Sequence, residues 1–400
     1  MPSVMQAYRF AVDPTPRQRR ALAPHCGAAR VAYNWGLDLV ATRLAQRRAG
    51  EDVEVPWTLP ELRREWNHAR DQVAPWWAEN SKEAYDSGLD GLARALKNWS
   101  DSRNGRRKGR RMNFPRRKKK RHARLACRFS KGQRIRVLGD RKHVQLPRIG
   151  VLKTHESTRK LARRLERGTA RILAATISRT ADRWFVSFTC EVQRTIPVDN
   201  GQLDVVGVDV GVRHLAVLST GMVVSNPRAL ERSLRKLRRL NRELARRHPN
   251  SRRRKSTGRR LARLHVRAAN LRRDALHKLT TTLATDHGTV VVEQLNVAGM
   301  LRNRRLARAI ADSGLGEVRR LLAYKTVWYG SRLVVADPFY PSSKTCSSCG
   351  WVRAKLTLAE RTFHCEACGA VLDRDQNAAR SLAKLVRHVA RSGRETETPV

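Results

Sequence analysis

Acidic residues are scarce in this chain of 400 residues: Asp and Glu number 35 against 83 Lys and Arg, a formal net charge of +48. A small-molecule enzyme has no use for such an excess, which repels itself in a compact state. A polyanion resolves the repulsion, because each neutralised phosphate releases condensed counterions. The first inference is a nucleic-acid partner, with a ribosomal-type basic protein as the plainer alternative at this point. Long apolar runs are missing too, so no segment is expected to span a membrane. The opening MPSVMQAYRFAV lacks the charged stretch followed by an apolar stretch that marks a signal peptide. Cysteines number only seven, an odd count. That argues against a disulfide frame and suits thiols or metal in a reducing compartment, so a cytoplasmic protein is expected.

What is present can build cores. Apolar residues make up 40% of the chain, and the length suggests two or three domains. Residues 5–13 alternate like a strand. Thr15-Pro16 is an N-cap type residue followed by Pro at a first helical position, and predicts a helix over 16–48. A second helical stretch is predicted over 59–102, with Tyr85, Leu89, Leu92, Leu96 and Trp99 on one face. Five of the nine Trp residues fall between Trp57 and Trp99, which reads as core packing rather than base stacking. Residues 102–139 contain no acid and 17 Lys or Arg. Their centre, RRKGRRMNFPRRKKKR, reads as a loop held against the body. Arg106, Arg107, Lys108, Arg110, Arg111, Arg116, Arg117, Lys118, Lys119, Lys120 and Arg121 are its candidate phosphate contacts. Short strands are expected at 134–139 and 143–150, and a hairpin around the TAD turn within 174–192. With residues 5–13 these strands could close a small barrel into which the helices are inserted.

From residue 204 the pattern changes to three strands in a meander, then helix, strand, helix, strand, helix. That is the RNase H-like order, and the expected class is an α/β multidomain protein. HPNSRRRKSTG is expected to break a long basic helical hairpin whose Leu stripe begins at Leu230. In GVDVG, Val206, Val208 and Val210 share one face while Gly207, Asp209 and Gly211 share the other, the glycines leaving open space beside the acid. An Asp in an apolar strand is costly to bury unless something positive compensates. Glu293 ends the apolar run TVVVE, and Asp375 lies where the last helix begins. If the strand at 288–293 runs parallel to 204–212, Asp209 and Glu293 are neighbours, and the last helix brings Asp375 across. Three such carboxylates suit Mg²⁺ or Mn²⁺. Two ions about 3.5–4 Å apart can stabilise both the attacking and the leaving oxygen of a phosphodiester displacement. Asp373 is the rival third ligand; the favoured arrangement makes it the helix N-cap.

Cys346, Cys349, Cys365 and Cys368 read C-x₂-C-x₁₅-C-x₂-C, the spacing of a closed four-thiolate zinc site, structural rather than catalytic. Cys26, Cys127 and Cys190 read as ordinary buried residues. His214 and His364 read as surface or packing residues.

GVDVGVRHLAVLSTG, VVVEQLN, PSSKTCSSCG, CEACG and DRDQNAARSL resemble, in this order, the signature of the TnpB (OrfB) family of insertion-sequence proteins, related to the effectors of type V CRISPR systems. YRFAVDPTPRQ and GAARVAYNWGL resemble the opening of that family, and HVQLPRIG and RWFVSFTCEV its middle, so the resemblance covers nearly the whole chain. It implies an RNA-guided DNA endonuclease of a bacterial or archaeal nucleoid, encoded by a transposable element. The guide would be an RNA from the element's end, and the target double-stranded DNA. It implies that Asp209, Glu293 and Asp375 form a RuvC nuclease triad and that the four paired cysteines bind zinc. The implied layout is a wedge-like barrel at 1–14 and 103–200, an inserted helical recognition domain at 15–102, a RuvC-like domain at 201–340 and 371–392, a zinc ribbon at 341–370 and a disordered tail at 393–400. Two other readings stay open: a transposase that itself transfers strands, and a non-catalytic regulator that binds nucleic acid. RNase H-like folds serve both catalytic chemistries, so fold does not separate them.

Overall fold

A computed structural model of the chain describes residues 2–120, 123–130, 135–357 and 359–392, the last six without their side chains. Arg121, the start of the strand expected at 134 and the tail at 393–400 lie outside the described residues. The chain divides into two compact units, Met1–Arg194 and Thr195–Val400.

The first unit opens with β1 (Ser3–Asp13) and α1 (Pro16–Arg48). Thr15 and Gln18 form a reciprocal capping box at the start of α1, which satisfies donors that the first turn leaves without partners. The long helix expected over 59–102 is two helices, α2 (Leu59–Val73) and α3 (Lys82–Arg103), with a short 3-10 turn at Trp77–Glu79 between them. The break is at Pro75, which donates no backbone hydrogen bond and restricts the residue before it. Trp66 is buried and stacks on Tyr85 with ring centroids 5.1 Å apart, and Leu62, Leu89, Leu92 and Leu96 fill the same core. Trp57 and Trp99 stack on each other, so most of the tryptophan cluster packs protein against protein, while Trp76 stays exposed. There follow β2 (Ala126–Phe129), β3 (Arg136–Val137), β4 (His143–Leu146), β5 (Gly150–Thr154), α4 (Arg159–Glu166), β6 (Ala170–Thr180) and β7 (Arg183–Gln193). They form a seven-stranded antiparallel sheet in the order β2-β6-β7-β1-β5-β4-β3. β6 and β7 make the hairpin expected around Ala181, which takes the left-handed backbone conformation.

The second unit begins with β8 (Val205–Asp209), β9 (His214–Leu218) and β10 (Val223–Ser225), then α5 (Ala229–Arg246) and α6 (Arg252–Asp286). The hairpin between these helices is tighter than expected: RRRKSTG is helical, and Ser251 caps it by accepting from the Arg254 N–H at 3.1 Å. Next come β11 (Thr289–Val292), two short helices α7 (Val297–Met300) and α8 (Ala307–Ser313), then α9 (Leu315–Tyr329) and β12 (Arg332–Val335). A small hairpin, β13 (Thr362–His364) and β14 (Val371–Asp373), leads into α10 (Arg374–Ser392).

The five-stranded sheet runs β10-β9-β8-β11-β12. β8, β9 and β10 are antiparallel, while β11 runs parallel to both β8 and β12. Val206, Val208, Val290 and Val292 bury one face against Leu276, Leu279 and Leu283 of α6 and Leu321 and Leu322 of α9. The other face carries Val291 and Ala336 against Leu382 of α10. Helices thus cover both faces, as the parallel strands require. The glycine beside Asp209 does not leave open space: a Cβ on Gly207 would stand 1.9 Å from the Ala379 carbonyl oxygen and 2.6 Å from the Ala383 nitrogen. Gly207 is the seat over which the α10 backbone passes.

Because the blocking atoms belong to a helix backbone, Gly207→Ala should displace α10 and cost about 3 kcal/mol or more. Urea unfolding measures this, and a variant within about 0.5 kcal/mol of the parent would contradict the packing.

Candidate metal centres and nucleic-acid interface

The strand pairing sets the first two acids side by side. Val291 lies opposite Gly207 and Val292 opposite Val208, so one further step places Glu293 beside Asp209. The α10 helix, seated on Gly207, delivers Asp375 in its first turn. Asp209 registers both neighbours: burial first, then the charges of Glu293 and Asp375, push its carboxyl up to about 8, with Arg374 pulling the other way. Asp373, whose charge also raises the Asp209 carboxyl, caps the helix. Its Oδ1 accepts from the Asp375 N–H at 2.9 Å and the Gln376 N–H at 3.1 Å. Gln376 Nε2 donates to the Leu218 and Ser219 carbonyls, each at 3.2 Å, tying the helix start to the end of β9. Glu293 accepts from the hydroxyl of the buried Ser342. Ser342 and Gln376 escaped the sequence reading, because neither sits in a pattern that names a partner.

The cysteines are gathered more tightly than the carboxylates. The four Sγ atoms of Cys346, Cys349, Cys365 and Cys368 all lie within 4.8 Å of one another; no trio of carboxylates does so among the described residues. Each pair forms the same knuckle: Gly350 donates to the Cys346 carbonyl and Gly369 to the Cys365 carbonyl, both at 2.9 Å, with both glycines at positive φ. Burial opposes the Cys346 thiolate, yet the N–H groups of Cys349 and Ser348 and the nearby thiols outweigh it, bringing Cys346 down to about 6. A closed tetrad of thiolates is the donor set of structural zinc. Buried Phe363 fills the small core beneath it. Cys26, Cys127 and Cys190 are buried in the first unit, and burial pushes the Cys26 thiol up to about 12.

The ribbon and the carboxylates share one support. Asn377, fully buried, donates through Nδ2 to the Thr345 carbonyl and accepts from the Ser347 N–H, both at 2.8 Å. One turn on, Ser381 Oγ donates to the same carbonyl at 2.9 Å. The helix that carries Asp375 therefore also buttresses the first knuckle. The polar run QNAARS beside Asp375 was the available signal.

The basic loop is held down, as expected. Asn34 accepts from the Lys118 N–H at 2.8 Å and donates to its carbonyl at 3.2 Å, Arg117 bonds Asp38 at 2.7 Å, and Lys118 Nζ lies 3.5 Å from the centre of the Tyr33 ring. Arg117 and Lys118 anchor the loop from exposed positions, and Arg106, Arg107, Lys108, Arg110, Arg111, Arg116, Lys119 and Lys120 are exposed as well. A second basic surface was not among the expected phosphate contacts. Residues 228–273, which include all of α5, hold 19 Lys or Arg and two acids, Glu231 and Glu243. Most of these cations are exposed, with Leu237 and Leu240 turned inward. The charge count alone would have found it.

Fold and site together define a strongly basic α/β protein with a carboxylate cluster and a cysteine ribbon on one helix. Residues 187–304 match a family of the OrfB type described as "Probable transposase", and residues 316–382 one described as "Cas12f1-like, TNB domain". Residues 1–49 match one described as "Helix-turn-helix domain", although here they form a strand and a single helix. A Mycobacterium tuberculosis protein named "Putative RNA-guided DNA endonuclease" is 41% identical over 95% of this chain and 86% of its own length. Escherichia coli "Putative RNA-guided DNA endonuclease InsQ" is 30% identical over 94% of this chain and 91% of its own. A cryo-EM structure of a Cas12f1–sgRNA–target DNA complex shares the fold, with TM-score 0.51 at 14% identity, covering 95% of this chain and 99% of that one. The chain belongs to the TnpB (OrfB) family, related to the type V CRISPR effectors. Among the described residues no helix is long and apolar enough to cross a membrane.

Metal ligands seldom preassemble without their ion. Cys365→Ser should therefore reduce zinc from one per chain to none and raise amide exchange across residues 345–370. Metal analysis paired with hydrogen exchange reads both. Folded parent protein carrying less than one zinc would refute the assignment.

Proposed function

We propose that this protein is an RNA-guided DNA endonuclease encoded by an insertion sequence, which hydrolyses phosphodiester bonds at a RuvC-type (RNase H-like) centre of Asp209, Glu293 and Asp375. One observation carries the reading: three acids from separate segments are gathered where β8, β11 and α10 meet, in a chain of net charge +48. The names of the relatives support an RNA guide and a DNA target, which we take to be double-stranded. On this reading residues 201–340 and 371–392 are the nuclease and 341–370 the zinc ribbon. Residues 1–14 and 103–200 would make a wedge-like β-barrel into which the helical recognition segment 15–102 is inserted.

The residues fit divalent cations. A carboxyl pushed up to about 8 by burial and like charges is a site short of positive charge. Asp209, Glu293 and Asp375 would hold Mg²⁺ or Mn²⁺, which supply Lewis-acid polarisation of the scissile phosphate and its attacking water when bound. Ser342 fixes the Glu293 carboxylate by donating to it, Asp373 fixes the helix turn that carries Asp375, and Gln376 fixes that turn against β9. The exposed cations of 106–120 and of the α5–α6 hairpin grip phosphates without reading sequence. Sequence choice then falls to the guide.

The family description "Probable transposase" favours a second reading, strand transfer by the same carboxylates without RNA.

Sequencing the RNA that copurifies, then assaying a matching DNA, separates the two. The expected result is RNA of defined sequence and Mg²⁺-dependent cutting that EDTA stops. Asp209→Ala, Glu293→Ala and Asp375→Ala should each abolish cutting and leave DNA binding intact, since the carboxylates act on charge that develops in the transition state. Asp373→Ala should cost about 1 kcal/mol of helix stability and retain cutting. Three single variants that still cut would end the nuclease reading; strand-transfer products without RNA would favour the second.

A further inference from the structure

On the face of the five-stranded sheet away from α10, the structure holds a cavity of about 470 Å³. That is within the range of roughly 300–1,000 Å³ typical of small-ligand sites. Val210, Val292, Leu295 and Val318 make its apolar floor. Glu293 closes one side, so the cavity adjoins the carboxylate cluster. Arg319 and Ala323, one turn apart on α9, stand exposed at the rim. Arg320, also at the rim, is engaged by Glu317, its Nε donating at 2.8 Å.

We propose that this cavity seats the base of one nucleotide of the single-stranded DNA presented to Asp209, Glu293 and Asp375. The inference rests on the proposed function and names the subsite beside its reacting phosphate. Three features meet in one place: apolar walls for the faces of a base, a guanidinium at the rim for a phosphate, and the carboxylate cluster next door. Apart from Glu293 and the two arginines, no side chain lining the cavity carries a hydrogen-bond donor or acceptor. The seat therefore accepts any base, because discrimination needs polar groups that a wrong base would leave without partners. It orients the strand and does not read it, which is what an enzyme with guided sequence choice requires.

The test uses full-length protein and a single-stranded DNA carrying a diazirine-bearing base, whose carbene inserts into C–H bonds of any neighbouring side chain, crosslinked by light and mapped by peptide mass spectrometry. Crosslinks are expected within residues 292–297 or 315–323. They should be lost in Ala323→Trp, which fills the cavity from an exposed helix position, and reduced in Arg319→Ala, which removes no core group. In protein loaded with its copurifying RNA, Ala323→Trp should cut matched DNA about tenfold to a hundredfold more slowly, with unchanged target affinity and melting temperature. Crosslinks only elsewhere, or a tryptophan variant that cuts at the parent rate, would overturn the seat and leave the nuclease reading standing. Crosslinks in the cavity of a protein that cuts no matched DNA would overturn the nuclease reading and leave the seat standing. Should Ala323→Trp fail to fold, Arg319→Ala decides: an undiminished crosslink refutes the phosphate contact and with it the seat.

Discussion

Three carboxylates cannot be gathered at one sheet edge without a cost, and the second unit is built around meeting it. Burial first, then the charges of Glu293 and Asp375, raise the cost of ionising Asp209. The arrangement persists because unrelated contacts enforce it. β11 is locked parallel to β8 by a full register of pairs, so Glu293 has no other place to go. Helix α10 is forced down onto Gly207, tied to β9 by Gln376 and tied to the first cysteine knuckle by Asn377. The energy that holds like charges together comes from apolar packing and neutral hydrogen bonds around them. On the proposed reading, a bound divalent cation would relieve that repulsion.

The same helix explains why a ribbon of four cysteines follows the sheet. α10 has Asp375 in its first turn, and Asn377 and Ser381 grip the backbone of residues 345–347. A metal that orders the knuckle also orders the helix face against it. Charge is arranged with equal economy. The loop of 102–120 gives up Arg117 and Lys118 to hold itself against α1, leaving the other cations outward. The α5–α6 hairpin buries Leu237, Leu240, Leu276 and Leu279 and leaves most of its arginines exposed.

Much of this was legible in the sequence, for physical reasons that can be named. Strand alternation placed Asp209 off the apolar face, and the cysteine spacing announced the knuckles. The rest needed the third dimension. A glycine in a strand marks either free space or close backbone approach, and alternation cannot tell which; at Gly207 the second holds. RRRKSTG looked like a break because of its glycine, yet Gly258 sits inside α6 at a cost of about 1 kcal/mol, which the packed helix absorbs. Pro75 was passed over in a periodic apolar pattern that resumes beyond it. Ser342 has its partner 49 positions away and no local signal, whereas Asn377, with partners some 30 positions away, was marked only by the polar run around it. Lys118 counted as a free cation until its ring and backbone partners appeared.

On the proposed reading, a divalent ion would relieve the crowding of negative charge at Asp209. Its carboxyl is raised from 3.8 to about 8, so the folded state binds its proton more tightly than the unfolded chain does. The stability this gives is present below about pH 4 and is lost as pH rises through about 8. The measurement is unfolding free energy across that range, in zinc-containing buffer, for the parent and Asp209→Asn, with and without Mn²⁺. Without Mn²⁺ the parent should lose stability relative to the variant as pH rises from 4 to 8, and at pH 8 Mn²⁺ should restore the parent and leave the variant unchanged. A stability difference that stays flat with pH, together with equal stabilisation of both proteins by Mn²⁺, would contradict the account.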